Sequence, residues 1–373
     1  MATYLLKRIL LIIPTLFGIM LISFAVIQFA PGGPVEQIIA QVTGTDVAAT
    51  SRFGGGGGAE TGGASQGSAQ SGGDASAAAS KYRGAQGLDP EFIRQLEKQF
   101  GFDKPMHERF ILMMGNFIRF DFGTSYFRDE TVVNLVLEKM PVSISLGLWS
   151  TLILYVVAIP LGVRKAVRDG TRFDLWTTIV MTIAFATPSF VLAVLLIVFF
   201  AGGSFLDWFP LRGLVSENFA QLSLLGQIGD YFWHLALPLV SLIAGGFLSL
   251  TMLTKNSYLD QINMQYVLTA RAKGLTERRV LYGHVFRNAM LIVIASFPGV
   301  FVGILFTGAL LIEVIFSLDG LGLLGFEALI KRDYPIVFAS TYFFTLLGLA
   351  MRLVGDLTYT IVDPRIDFEA RGA

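Results

Sequence analysis

The sequence predicts an all-α polytopic membrane protein with six transmembrane helices, and three observations predict it. The first is composition: 53% of the 373 residues are hydrophobic and 15% are charged, with mean hydropathy +0.62, whereas soluble domains run near about a quarter charged. The second is a set of six apolar runs, each close to the roughly 20 residues of helix that cross a bilayer core. The third is the concentration of Lys and Arg in alternate loops.

The first run, 9–30, follows Lys7 and Arg8 and is followed by APGGP. It exceeds a signal-peptide core and no A-x-A-like site closes it, so it reads as an uncleaved amino-terminal anchor, residues 1–30. Residues 31–142 form a loop of two halves. The first carries a glycine-rich insert at 44–87, including GGGGGAETGGASQGSAQSGGDASAAAS. Such a segment buries too little apolar surface to offset its ordering entropy, so a flexible insert is expected there. The second half, 88–142, predicts a small helical cap. Asp89-Pro90-Glu91 has the order of an N-cap, a first-turn proline and a favourable acid. Phe92, Ile93, Leu96 and Phe100 follow at helical spacing, and Gly101 ends the helix. Further helices are expected over 105–118 and 131–140, with FDFGTSYF between them. A packed loop with no role beyond stability satisfies the same pattern.

The remaining spans are expected at 143–163, 175–206, 233–254, 289–312 and 335–361, within a core of 143–361. Pro188 predicts a kink in the third span. Arg164, Lys165, Arg168 and Arg172 crowd the loop between spans two and three. Lys255, Arg271, Lys273, Arg278, Arg279 and Arg287 fill the loop 255–288, and Arg365 and Arg371 lie in the tail 362–373. The opposite loops hold only Arg212, and Lys331 with Arg332. Both termini are therefore expected in the cytoplasm, and the loop 31–142 outside it.

Absences narrow the function. The span cores carry almost no charge, and ionisable residues such as Glu313, Arg352 and Asp356 fall near their ends. Proton relays and voltage sensors need such groups inside the membrane. No Gly-Lys dipeptide occurs, so no P-loop can cradle a nucleotide here. No His-Glu-x-x-His occurs, and the one Gly-x-Ser-x-Gly match, GASQG, lies in the glycine-rich insert rather than between a strand and a helix. The chain has no cysteine, and its three histidines, His107, His234 and His284, are far apart. No catalytic, metal or cofactor-binding residue is expected in this chain. Lys+Arg and Asp+Glu balance at 28 each, so no global field points to nucleic acid.

One segment is neither span nor slack linker: ARAKGLTERRVLYGHVFRNA, 270–289. Before it, Tyr258, Ile262, Tyr266 and Thr269 fall near helical spacing, as do Val280, Leu281, His284 and Val285 after Gly274. Two short helices are expected, with a break at Gly274 and Thr276 capping the second. The pattern equally fits a positive-inside anchor or an anionic-lipid patch.

YVLTARAKGLTERRVLYGHVFRNA resembles the cytoplasmic EAA loop of ABC importer permeases, and TARAKG resembles their dipeptide/oligopeptide/nickel branch. Aligned on Gly274, the E-A-A positions fall on Leu268, Thr269 and Ala270, so a leucine stands where the general pattern has an acid. The resemblance continues along the chain through YLLKRILLIIPTLFGIMLISFAVIQFAPGGP, FGFDKPMHERF, RFDFGTSYF, PVSISLGLWSTLI, IPLGVRKAVRDGTRFD, HLALPLVSL, IEVIFSLDGLGLL, RDYP and VDPR. APGGPVEQ, GLDPE, GGSFLDWFPLRGLVS and DPRIDFE are most similar to branch members serving bacterial uptake of microcin C and oligopeptides. The resemblance implies the type I ABC importer (MetI-like) fold with a periplasmic helical cap, in the bacterial inner membrane. It implies no cofactor in this chain, and as partners a second homologous permease, ABC ATPase subunits, a periplasmic substrate-binding protein, membrane lipids and a peptide-like substrate. The implied ATPase contact is Thr269, Ala270, Arg271, Ala272, Lys273, Gly274, Leu275, Glu277 and Arg278. Ala270 and Gly274 would serve packing and the bend, the charged residues polar contacts. Pro188, Ser189 and Phe190 are candidates for the translocation path. Phe205, Trp208 and Phe209 are either part of a landing surface for the binding protein or interfacial anchors. The competing expectations are an ATP-independent channel or secondary transporter, marked by an intramembrane charge or inverted repeat, and a scaffold whose basic loop holds a soluble partner.

Overall fold

The computed structural model describes residues 2–29, 33–42, 90–99, 102–201, 205–304 and 309–362. The glycine-rich insert with GASQG, the expected N-cap Asp89, the helix end at Phe100 and Gly101, and the tail from 363 lie outside the described residues. Among the described residues there is no strand, only an isolated bridge between Thr124 and Thr131.

Thirteen helices are labelled here. They are α1 (Ala2–Phe29), α2 (Pro34–Val42), α3 (Pro90–Gln99), α4 (Met106–Ile118) and α5 (Val132–Val167). Next come α6 (Arg172–Ala186), α7 (Ser189–Phe200), α8 (Leu224–Ile262), α9 (Gln265–Ala272) and α10 (Glu277–Gly303). The last are α11 (Ala309–Ile315), α12 (Leu321–Lys331) and α13 (Tyr334–Val362). Five of them, α1, α5, α8, α10 and α13, are long and apolar enough to cross a membrane. A sixth crossing arises if α6 and α7, which meet at 96°, count as one broken span.

Several helices outrun the apolar runs that announce them. The expected separate helix over 131–140 is the first part of α5, which continues through Pro141 and Pro160. At 36 residues it is about 54 Å long, well beyond a bilayer core. Both prolines are tolerated because their fixed φ suits a helix and each removes a single hydrogen bond from a long element. Pro188 does more than kink the third span. Thr187 is extended, as a residue before proline prefers to be, and α6 stops there.

The chain forms two compact units. The larger comprises Met1–Thr15, Leu137–Leu324 and Phe343–Ala373. Within it α8 is the central element, packed against α6, α7 and α10. One cluster of its core joins Leu154, Tyr155 and Ala158 of α5 to Leu250 and Tyr258 of α8 and Val280, Val285 and Val293 of α10. Another joins Leu146, Ala193, Leu235, Leu239 and Ile312. Gly162 lets α5 approach α8: a Cβ there would lie 2.6 Å from Thr254 Cβ and 2.8 Å from the Thr251 carbonyl oxygen. Glu313 is fully buried. Its carboxylate accepts from the Ser143 hydroxyl at 3.0 Å and the Leu323 N–H at 2.7 Å, while the Ser143 oxygen accepts from the Leu321 N–H at 2.8 Å. Acid and serine thus satisfy the free amides that open α12.

The smaller unit comprises Leu16–Val136 and Gly325–Tyr342. Val35 and Ile39 of α2 pack with Ile93 and Leu96 of α3, as the period of α3 requires. The buried face of α4, Phe110, Met114 and Phe117, meets Phe17 and Phe24 of α1, Phe122 and Tyr342. Asp333 ties the FDFGTSYF segment down by accepting from the Ser125 hydroxyl and, at 3.1 Å, from the Tyr126 N–H. Burial raises the Asp333 pKa above the usual carboxylate value, against those two hydrogen bonds.

Candidate coupling surface between α8 and α10

The basic segment is a short helix fixed between two spans. α8 runs without interruption to Ile262, so Tyr258 and Ile262 belong to a 39-residue helix rather than to a short one. Met264 is extended and α9 follows. Its end is a Schellman turn. The Leu275 N–H donates to the Ala270 carbonyl at 3.3 Å and the Gly274 N–H to the Arg271 carbonyl at 2.9 Å. Gly274 has φ +77°, the left-handed value this turn demands. A Cβ on Gly274 would meet nothing within 4 Å, so its role is conformational and not one of packing. The packing residues are Val267 and Ala270, both buried in the core cluster that Leu275 also touches.

After the turn the second expected short helix is the start of α10, joined to the span through one π-type stretch, Val280–Val285. Thr276 occupies the N-cap position in an extended conformation, but its hydroxyl makes no cap hydrogen bond. The closure comes from Arg271 and Glu277, whose Nε and Oε1 are 2.9 Å apart across the turn. Both are exposed, so the pair contributes well under about 1 kcal/mol. Two hydrogen bonds fasten α8 to the base of α10. The Tyr258 hydroxyl donates to the Leu281 carbonyl at 2.7 Å, and the Ser257 hydroxyl to the Ala289 carbonyl at 2.6 Å. Tyr258 is fully buried. A π-type stretch leaves carbonyls outside the usual i→i+4 ladder, and one of them is met by a neighbouring span.

The buried face of α9 is thus fixed, and the opposite face is open. Thr269, Arg271, Ala272, Lys273, Gly274, Glu277 and Arg278 are exposed, while Leu275 is half-buried. Leu268, in the position where the general pattern has an acid, is 60% exposed, and Met264 and Tyr282 of the same segment are exposed too. The open face is therefore apolar as well as basic, which a count of charges does not reveal.

A second constellation went unread in the sequence. Lys165, Arg164, Arg168 and Arg172 mark orientation, but Lys165 is completely buried. Its Nζ lies 2.9 Å from Asp174 Oδ1 and donates to the Asp174 carbonyl, Thr177 Oγ1 and Thr178 Oγ1 at 2.7–2.8 Å. Asp174 Oδ2 is 2.7 Å from Lys255 Nζ, which also meets Asp169 at 2.7 Å. The end of α5, the first turn of α6 and the last third of α8 are pinned by one carboxylate between two lysines. The available signal was Asp169 and Asp174 among four basic residues, but their partner Lys255 is remote in sequence.

The candidate path residues lie at the break between α6 and α7. Pro188 and Phe190 are exposed and Ser189 is half-buried. They sit together, and α7 begins at Ser189 without a side-chain cap. Among the described residues no group of His, Cys, Asp or Glu is placed to hold a metal ion.

A bundle of long apolar helices carrying a short, outward-facing helix between two of them is the layout of a transport permease. The chain belongs to the family of binding-protein-dependent transport system inner membrane components, whose match covers residues 158–368. It is 61% identical over its full length to the peptidoglycan transport system permease protein YejB of Agrobacterium fabrum, itself covered completely. It is 54% identical, again with complete coverage of both chains, to the inner membrane ABC transporter permease protein YejB of Escherichia coli O157:H7. It is 31% identical over 99% of its length to the whole of the oligopeptide transport system permease protein AppB of Bacillus subtilis. The chain is therefore a multi-pass permease subunit of the inner membrane, within a binding-protein-dependent transport system.

Proposed function

We propose that this permease carries peptide-like compounds into the cell, oligopeptides and compounds such as microcin C among them, driven by ATP hydrolysis on separate ATPase subunits. A second homologous permease completes the path and a periplasmic binding protein delivers the substrate. The observation that carries this reading is α9: a helix fixed on its inner face by Val267 and Ala270 and open on its outer face. Thr269, Ala270, Arg271, Ala272, Lys273, Gly274, Leu275, Glu277 and Arg278 form the ATPase-contacting region, Ala270 and Gly274 by holding its shape. Exposed Leu268 replaces an acidic contact with an apolar one. A rigid helix joined to both α8 and α10 passes a push from the ATPase to the spans as a rigid-body motion. Pro188, Ser189 and Phe190 border the path at the α6–α7 break. The relatives' names, which specify peptidoglycan and oligopeptide transport, support this substrate class.

The test is purification of the tagged chain in mild detergent, with mass spectrometry of stoichiometric partners and an ATPase assay. A second permease and an ATPase co-elute, and Gly274→Arg abolishes their activity while the chain still inserts. A chain that elutes alone after crosslinking in membranes, or Gly274→Arg with full transport, overturns the reading in favour of an ATP-independent channel or carrier.

A further inference from the structure

In the smaller unit, α4 carries more apolar surface than its packing uses. At about 100° per residue its side chains fall into two arcs. One runs through Phe117, Phe110, Met114, Ile118 and Ile111, with His107 of the first turn at its edge. The other holds Glu108, Asn116 and Arg109, interrupted by Leu112, and ends at the C-cap Arg119. Of the apolar arc, Phe110, Met114 and Phe117 are buried. Ile111 and Ile118 are 67% and 70% exposed. Seven residues apart, they stand one above the other and form a single apolar strip beside the buried face.

Depth decides what meets that strip. Phe110 packs on Phe17 and Phe24 of α1, with ring centroids 5.5 and 5.3 Å away. The apolar part of α1 ends at Phe29. Phe24 is five residues and Phe17 twelve residues before that end, about 8 and 18 Å of helix. Phe110 sits against both, so it lies below the end of the span, where hydrocarbon surrounds α1. The contact with α13 gives the same level. Phe117 packs on Tyr342 at 5.6 Å, and Tyr342 is eight residues, about 12 Å, inside a span that begins at Tyr334. Phe17 is still 46% exposed, so the open flank of α1 meets α4 at Phe110, one residue from Ile111. A helix with one apolar and one polar arc, held at this depth, has the character of an interfacial helix.

We infer that α4 lies along the membrane surface, with Ile111 and Ile118 against the acyl chains of the leaflet at the carboxyl end of α1. Glu108, Asn116 and Arg119 point to the headgroups and water. If the amino terminus is cytoplasmic, this is the outer leaflet. The occupant of the open strip is lipid, because α4 is seated on the side of a span and not beyond its end.

Because the chain has no cysteine, a nitroxide can be attached at Ile111→Cys, Ile118→Cys and Glu108→Cys one at a time. The full-length chain, with the partners that co-purify with it, is placed in phospholipid nanodiscs. Power saturation is read with oxygen, which concentrates among acyl chains, and with a water-soluble nickel chelate. Oxygen relaxes the labels at 111 and 118 more than nickel does, and the order reverses at 108. All three side chains are exposed, so the labels leave the packing intact, and the reversal within one helix shows that α4 is folded. Nickel acting more strongly than oxygen at 111 and 118 would make α4 a cap in water and overturn the proposal. Exclusion of both reagents at 111 and 118 would mean that protein covers the strip, a second permease for instance, and would overturn the lipid assignment. Equal behaviour at all three positions would remove the two-faced helix and overturn it as well.

Discussion

Gly274 and Gly162 are both positions that only glycine fits, for opposite reasons. At Gly274 the backbone has φ +77° and there is open space where a Cβ would be. Alanine there costs the left-handed conformation, about 1–2 kcal/mol, and no clash. At Gly162 the helix is ordinary, but a Cβ would strike Thr254 and the backbone of Thr251. Alanine there forces α5 and α8 apart, an overpacking cost of about 1–3 kcal/mol with little freedom to relax. Thermal unfolding of the purified variants should therefore show the larger loss for Gly162→Ala. A larger loss for Gly274→Ala would mean that the turn, not the helix contact, is the weaker point. The contrast also shows what the sequence discloses. Gly274 is legible because the residues that make its turn are its neighbours. Gly162 is not, because the atoms that exclude a side chain belong to a helix much later in the chain. Gly320 is similar, since a Cβ there would come within 2.5 Å of the Glu313 carboxyl carbon.

At the level of elements, stiffness in the coupling segment depends on a few side chains that cross from one helix to another. Tyr258 donates to the Leu281 carbonyl from a fully buried position. Tyr258→Phe keeps the packing and removes that hydrogen bond, while the Phe286 N–H still donates to the same carbonyl, so the cost is about 0.5–1.5 kcal/mol. If α9 moves as one body with α8 and α10 under the proposed ATPase subunits, this variant still co-purifies with them but transports less per ATP hydrolysed. Transport and hydrolysis falling in proportion would instead mean loss of folded protein. Asp174 tests the neighbouring junction. Asp174→Asn leaves Lys165 and Lys255 facing each other without their shared carboxylate, and breaking a buried pair this way costs about 3 kcal/mol or more. Its loss of stability should exceed that of Arg271→Gln, whose exposed pair is worth well under about 1 kcal/mol. The apolar runs made the spans legible, because length and hydropathy are local quantities. They did not make the span ends legible. The beginning of α10 at Glu277 and of α5 at Val132 lie in polar sequence, where helix continues because tertiary contacts hold it. Thr276 shows the reverse error: a residue of the right type at the right position whose hydroxyl does no capping.

For the whole molecule the lysine–aspartate network favours six crossings over five, provided the helices cross a bilayer of ordinary thickness. Asp174 in the first turn of α6 binds Lys255 near the end of α8 at 2.7 Å, so those two ends lie at the same face. From Leu224 to Lys255 α8 rises about 46 Å, more than the bilayer core, so α8 begins at the opposite face. The chain must then change faces between Asp174 and Leu224, and among the described residues there α6 with α7 is the apolar segment that can do so. On that premise the 96° pair is a crossing and not a re-entrant loop. If both termini are cytoplasmic, as the distribution of Lys and Arg implies, Glu217 faces the periplasm and Arg168, in the turn before α6, faces the cytoplasm. The natural chain has no cysteine, so single cysteines report their own positions. In intact cells a membrane-impermeant maleimide should label Glu217→Cys, and should label Arg168→Cys only after permeabilisation. Labelling of both from outside, or of neither, would place the two loops on one face and make the bent pair re-entrant. Opposite labelling of the two sites in the reverse sense would keep six crossings and invert the orientation, moving α9 out of reach of any cytoplasmic ATPase.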